Sequence, residues 1–302
     1  MHEPLPHPDA PDLDALLRSP RSRRGLRLQA LLYLLTCLTT FAAGAVGWQP
    51  LVLGVDDVSV EVVDHWQRGL VYAAAVMAVL SAHEAGHYVA ARWHGIPATL
   101  PFFMPFPVLL TGTLGAVIGM EGARADRRQL FDIALAGPLA GLVVAVPLLV
   151  CGVAFGGGPD PGNPFSMPLL ARWVQGVVRP DLPAGAGVAP NALLMAGWVG
   201  LLVTGLNMIP LSQLDGGHIC RAVFGGHGNH VARGVLLAAI AAVVLTGRTN
   251  WVVMLVLVTL MGVDHPPIRD ERRPLGRWRT ALGLAAFLIP LVTFMPEPMR
   301  LD

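Results

Sequence analysis

Apolar residues in this 302-residue chain gather into long stretches at 28–47, 69–91, 130–154, 191–209, 231–246, 251–263 and 280–295. Most approach the roughly 20 residues that cross a bilayer as a helix. The pattern predicts an all-α polytopic membrane protein with about six or seven transmembrane helices. The two shortest stretches, 231–246 and 251–263, flank the polar break Gly247, Arg248, Thr249, Asn250 and also read as one broken or re-entrant pair.

The polar connections set an orientation. Residues 1–27 are rich in Pro, Asp and Arg, end in Arg18, Arg21, Arg23, Arg24 and Arg27, and read as a disordered cytoplasmic tail. The apolar run that follows is longer than a secretion-signal core, so it is expected to stay as a span, with cleavage near Ala45 as the alternative. The unit 28–68 then holds the first span and an extracytoplasmic loop with Asp56, Asp57, Glu61 and Asp64, and the second span returns to the cytoplasm near Arg92. Arg124, Arg127 and Arg128 mark the same side, so the apolar segment from Ile96 to Met120 between them cannot cross once. Pro97, Pro101, Pro105 and Pro107 forbid a regular helix in its first half. A re-entrant segment near 96–120 is expected, shielded by protein, a β-hairpin being one form it can take. Within it 113–120 has strand-like composition and offers an edge to an extended peptide, with buried packing as the equal alternative.

Residues 155–190, rich in Gly and Pro, predict an extracytoplasmic loop of about 35 residues, too short for a peptide-binding domain of typical size. The stretch 191–209 leads back inward, and Arg269, Arg272, Arg273, Arg277 and Arg279 again fall on the cytoplasmic side. The chain thus divides into the tail 1–27, the unit 28–68, a core at 69–226 and C-terminal transmembrane helices at 227–302.

Composition agrees: 54% of residues are hydrophobic, 14% are charged and the mean hydropathy is +0.57, a balance that a soluble domain does not need. The net charge of +1 says nothing of nucleic acid, because the arginines cluster beside apolar spans rather than along a binding face and so report topology. All basic residues are Arg and none is Lys, an association with bacterial, GC-rich coding that points to a bacterial inner membrane. Cys37, Cys151 and Cys220 lack paired spacing and read as small buried hydrophobes.

Candidate chemistry sits inside the second apolar stretch. Residues 83–87 read His-Glu-Ala-Gly-His, and on a helix positions i and i+4 share one face, where two imidazoles can hold one Zn²⁺ with Glu84 as general base. From His83 to Arg92 the helix rises roughly 14 Å at about 1.5 Å per residue, which sets the motif below the cytoplasmic surface. Each ionisable side chain there costs about 2.5–3.5 kcal/mol on insertion scales, a cost that a bound metal offsets. The bland reading is a hydrogen-bonded histidine pair with an incidental glutamate. Tyr88, Trp93 and His94 read as interfacial residues. A catalytic zinc takes three protein ligands and a water. Asp215, in Leu214-Asp215-Gly216-Gly217-His218, is the candidate third, beside two glycines that permit close backbone approach, and His218 is a rival.

These residues resemble the site-2 protease family of intramembrane zinc metalloproteases. The likeness rests on His83 to His87, on Asn207-Met208-Ile209-Pro210 followed by Leu214 to Gly217, and on Ala136-Gly137-Pro138-Leu139-Ala140-Gly141 between them, and it covers about 70–226. It implies one zinc per chain held by His83, His87 and Asp215, Glu84 as the base that activates water, and Asn207 binding the substrate backbone. The implied substrate is a transmembrane protein or peptide cut within or near its span in regulated intramembrane proteolysis. The stretch Glu121 to Leu139 is similar to compact members that lack PDZ and nucleotide-sensing domains.

A transporter or ion pathway is the rival class, because buried His, Glu and Asp also mark proton relays. It predicts inverted repeats, and the His83–His87 segment has no counterpart in the second half. Gly137 and Gly141 form a GxxxG pair that favours internal helix packing over dimerisation, and no pattern sets an oligomeric state. Trp48, Trp66, Trp198 and Trp251 read as interfacial anchors. Expected partners are a membrane-embedded substrate and lipid, with no nucleic acid.

Overall fold

The computed structural model describes residues 20–49, 58–120, 124–160, 164–183, 186–211, 213–247, 251–295 and 297–298. Helix α1 spans Pro20–Ala45 and so begins ahead of the apolar stretch at 28. Arg21, Arg23, Arg24 and Arg27, read from sequence as the end of a disordered tail, are its first turns, because extending a formed helix through good helix formers costs little. Residues 1–19 of the expected tail, Arg18 among them, lie outside the described residues, as do Asp56 and Asp57 of the following loop. Glu61 and Asp64 lie on the short helix α2, Val58–Asp64.

Helix α3, Trp66–Trp93, carries the His83–His87 motif. It stops where Gly95 takes a φ of +68°, a conformation that glycine adopts freely. The Gly95 N–H donates to the Arg92 carbonyl at 3.1 Å and the Ile96 N–H to Ala91 at 2.9 Å, a Schellman closure that Pro97 cannot extend. At the other end Arg68 Nε donates to the Gly44 carbonyl at 2.8 Å, satisfying the C-terminal end of α1.

The segment after Gly95 is a β-hairpin. Strand β1, Phe102–Pro105, pairs antiparallel with β2, Thr113–Val117, in the register Phe102 to Val117 and Phe103 to Ala116. Helix α4, Arg127–Ala154, follows with Pro138 and Pro147 inside it. The expected 155–190 loop is more ordered than its composition predicts. It contains β3, Pro159–Asp160, the amphipathic helix α5, Leu169–Val178, and β4, Gly187–Val188, with β3 and β4 paired.

Helix α6, Ala192–Asn207, starts at Asn191, whose Oδ1 accepts from the Leu194 N–H at 3.0 Å while its Nδ2 donates to the Gly152 carbonyl at 2.7 Å. One side chain thus caps α6 and ties it to α4. Next come α7, Asp215–Phe224, and α8, Gly228–Thr246, joined by a single 3₁₀ turn, then α9, Val252–Met261. The apolar stretch 280–295 is not one helix but α10, Arg277–Ala286, and α11, Ile289–Thr293, divided ahead of Pro290.

Among the described residues four helical segments are long and apolar enough to cross a membrane: Gly25–Ala45, Trp66–Trp93, Arg127–Ala154 and Asp215–Thr246. The apolar helices Leu169–Val178 and Ala192–Asn207 are shorter. Helices α3, α4 and α6 form the centre, with α1 against α3 and α7 against α4. Tyr72, Leu149, Leu194, Met195 and Trp198 are almost wholly buried there, whereas Leu31, Leu34 and Leu38 on α1 are exposed. Such an apolar outer face is what lipid covers and water does not.

One end of the bundle is strapped by the chain between α9 and α10. Asp126 caps α4, accepting from the Arg128 and Gln129 N–H groups at 2.9 and 3.0 Å while Gln129 Oε1 accepts from the Asp126 N–H. The same carboxylate pairs with Arg273, and Arg279 forms a two-pronged pair with Asp132 at 2.8 and 3.0 Å. Arg128 Nε donates to the Pro274 carbonyl at 2.7 Å. Burial raises the Asp126 pKa, but the Gln129 and Arg128 N–H groups and the Arg273 guanidinium outweigh it and hold the carboxyl below its ordinary value. Its stabilising contribution is therefore complete above the usual aspartate range and is lost as pH falls through the lowered value. We expect Asp126→Ala to cost about 1–3 kcal/mol, read as a lower melting temperature in detergent. Asp126→Asn, which keeps a capping oxygen, should cost less.

Candidate metal centre

The apolar run of α3 forms a helix because Ala, Val, Leu and Met stabilise each other against neighbouring helices, and the motif rides along at helical spacing. His83, Glu84 and His87 are 3–5% exposed. Asp215 arrives on the first turn of α7, where the helix N-terminus favours a carboxylate. The turn that delivers it is tight: a side chain at Gly216 would overlap the backbone of Met208 and Ile209. The sequence expectation of close backbone approach therefore holds at Gly216.

Three ligand atoms converge. His83 Nε2 lies 3.1 Å from His87 Nε2 and 3.2 Å from Asp215 Oδ2, and His87 Nε2 is 3.2 Å from Asp215 Oδ1. His83, His87 and Asp215 are the group of metal-binding type found among the described residues. His218 is not part of it; it instead faces His265, 2.6 Å from Nδ1 to Nε2. Asn207 Nδ2 lies 3.4 Å from His83 Nε2 at the end of α6.

Helix α4 shapes the back of the site. A side chain at Gly137 would occupy the position of the His87 ring, and one at Gly141 would sit 3.2 Å from His83 Nδ1. The GxxxG pair is thus internal packing, as its composition implies, but what it admits is the two imidazoles. Pro138 leaves the Ala134 carbonyl without its helical donor, and the neighbouring Ile133 carbonyl stands 2.9 Å from His87 Nδ1. A carbonyl only accepts, so the His87 proton sits on Nδ1 and the Nε2 lone pair is left for a cation. No sequence motif marks this carbonyl.

The residues fit a bound zinc ion on two structural grounds. The donor set is two imidazole nitrogens and a carboxylate, the composition of open catalytic zinc sites. Asp215 Oδ2, one of the converging atoms, is also buried without a hydrogen-bond partner, a cost that a divalent cation removes, and Glu84 Oε2 beside it is likewise unpartnered. Around the group lies a cleft of about 580 Å³, lined by Glu84, Asn207, Asp215, His218 and His265 and by Ala116 and Val117 of β2. Arg124 stands on the same wall. His265, just after the apolar stretch 251–263, is a cleft residue that sequence reasoning missed; its only signal was a histidine beside two prolines.

The model of peptidase family M50 matches residues 71–246, a span that contains His83, Glu84, His87, Asn207 and Asp215. The chain belongs to this family. It is 29% identical over 242 residues to a probable zinc metalloprotease EGY1, chloroplastic, of Oryza sativa subsp. japonica, covering 76% of this chain and 41% of that protein. It is 29% identical over 233 residues to its counterpart in Arabidopsis thaliana, covering 74% and 42%. A probable zinc metalloprotease EGY2, chloroplastic, of Arabidopsis thaliana is 28% identical over 236 residues, covering 76% and 42%. The chain therefore spans about two fifths of the length of these curated relatives. No solved structure matches it. M50 membership weighs against the transporter alternative.

Because Gly137 is the wall against which His87 stands, Gly137→Ala should push that ring off the ligand point. We expect purified Gly137→Ala to hold less than about a tenth of the wild-type zinc, a loss of roughly 1.4 kcal/mol or more in binding, while its helical circular dichroism is retained. Wild-type zinc content in the variant would refute this role.

Proposed function

We propose that this M50 chain is an intramembrane zinc metalloprotease that hydrolyses peptide bonds within or near transmembrane segments of membrane proteins. The observation that carries the reading is the convergence of His83, His87 and Asp215 beside Glu84 inside an apolar helix bundle. In this reading His83, His87 and Asp215 bind one zinc per chain, and Glu84 is the catalytic residue. Zinc at these ligands supplies Lewis acidity to the scissile carbonyl and makes water a stronger acid. Glu84 takes the proton of the attacking water as the carbon–oxygen bond forms, then returns it to the leaving amine as the carbon–nitrogen bond breaks. Asn207, at the cleft edge, holds the substrate backbone.

The finer placement belongs to the same reading. The N-terminus is cytoplasmic and the site lies nearer that side, supported by the arginine clusters flanking α3 and α4. About six or seven transmembrane helices, with the 96–120 segment re-entrant between them, complete the topology. The membrane is a bacterial inner membrane, supported by the all-arginine basic set; the relatives above are named as chloroplastic. A substrate helix hides its carbonyls in internal hydrogen bonds and must unwind before attack, and an unwound segment can pair with the edge of β2 that lines the cleft.

Glu84→Gln is the direct test. It keeps the ligands, so zinc content should equal that of wild type while cleavage falls by about 10²–10⁴-fold and uncut fragments accumulate in host membranes. Equal zinc with no accumulating fragment would sink the proteolytic reading. The β2 edge has its own check: Val117→Pro should abolish cleavage with zinc retained, and unchanged cleavage would remove the strand from substrate binding.

A further inference from the structure

A second pair of imidazoles stands in the same cleft, and the chemistry above gives it no task. His218 lies one turn beyond Asp215 on α7, and His265 reaches it from the strap that follows α9. Their rings meet edge to face with centroids 4.8 Å apart, and His218 Nδ1 is 2.6 Å from His265 Nε2. His265 is tied down further, its own Nδ1 being 2.6 Å from the Pro266 carbonyl and its backbone N–H donating to Asn229 Oδ1 at 3.2 Å.

The hydrogen-bond roles in this chain follow from its far end. The Pro266 carbonyl can only accept, so the His265 proton sits on Nδ1. Burial lowers the His265 pKa and the nearby Arg221 lowers it further, against the opposing Pro266 bond and Glu271 carboxylate, so the ring is neutral. Its Nε2 is then a lone pair, and His218 must donate from Nδ1. A neutral His218 is left with an acceptor at Nε2. No described residue donates to that atom, and the side chain lines the cleft.

An unwound substrate brings the complementary need. Every backbone N–H released from the substrate helix is unfavourable if it stays unpaired in an apolar cleft. The carboxylates of Glu84 and Asp215 are engaged in chemistry and ligation, which leaves few neutral acceptors on the wall. We propose that His218 is a substrate-binding residue whose Nε2 accepts a backbone N–H of the extended peptide beside the metal ligands, and that His265 is the positioning residue that fixes its tautomer. The inference rests on the proteolytic reading. It implies a specificity: the peptide position facing His218 disfavours proline, which has no N–H to give.

The test uses the full-length, zinc-loaded chain in detergent with a synthetic single-span peptide set in which each residue near the cleaved bond is replaced by proline in turn. His218→Leu and His265→Leu should lower kcat/KM about ten- to hundredfold at wild-type zinc content. His265→Gln, whose Oε1 still accepts from His218, should recover most of the loss. One proline position should penalise wild type and add no further penalty in His218→Leu, a coupling that a purely structural role would not produce. Wild-type cleavage by His218→Leu, or proline penalties that all persist in it, overturns the inference alone. A wild type that holds zinc but cuts no peptide of the set overturns the proteolytic reading and this inference with it.

Discussion

Two imidazoles and two carboxylates must lie side by side in the middle of an apolar helix bundle, and the rest of the architecture answers to that. Each such group costs a few kcal/mol to bury without partners. The proposed offset comes from the close approach of His83, His87 and Asp215, whose nearest contacts are 3.1–3.2 Å, a group of the kind that one divalent ion satisfies. The two imidazoles also need room where α3 meets its neighbours, which side chains at the facing positions would fill. Helix α4 leaves that room at Gly137 and Gly141, and the turn before α7 closes tightly at Gly216. Close α3–α4 packing thus gives the two imidazoles their place, and α4 packs along α6 as well.

What was legible in the sequence follows from this division between local and tertiary constraint. His83, Glu84 and His87 were readable because helical spacing alone puts them on one face. Asp215 was readable only by counting ligands and by family likeness, since nothing local links it to a motif on a distant helix. The role of Gly137 was half legible: small residues signal close approach, but what approaches is known only once α3 and α4 are placed. The Ile133 carbonyl and His265 were not legible, because one is a main-chain atom and the other acquires meaning from Pro266 and His218. Among the elements, the long apolar helices and the proline-rich hairpin were recoverable from composition. Helix α5 was missed because the Gly and Pro on either side of it dominate the composition of 155–190.

The arginines carry a further lesson about reading charge along a membrane chain. Sequence treats Arg124 to Arg128 and Arg269 to Arg279 as markers of one side of the bilayer, a statement about insertion. Folded, those segments come together: Arg273 with Asp126, Arg279 with Asp132, Arg128 with the Pro274 carbonyl, and Arg127 with the carbonyls of Ala222 and Val223. The charges that orient the chain also bind its C-terminal part to the first turns of α4. Surface ion pairs alone are worth little, but Asp126 is 1% exposed and serves as a helix cap as well, so its pairing costs more to break than a surface pair. The same strap delivers His265 to the cleft. A segment that sequence assigns to topology therefore forms part of the wall of the cleft, and the first turns of α4, the helix behind the two imidazoles, are tied by charges that lie far from it in sequence.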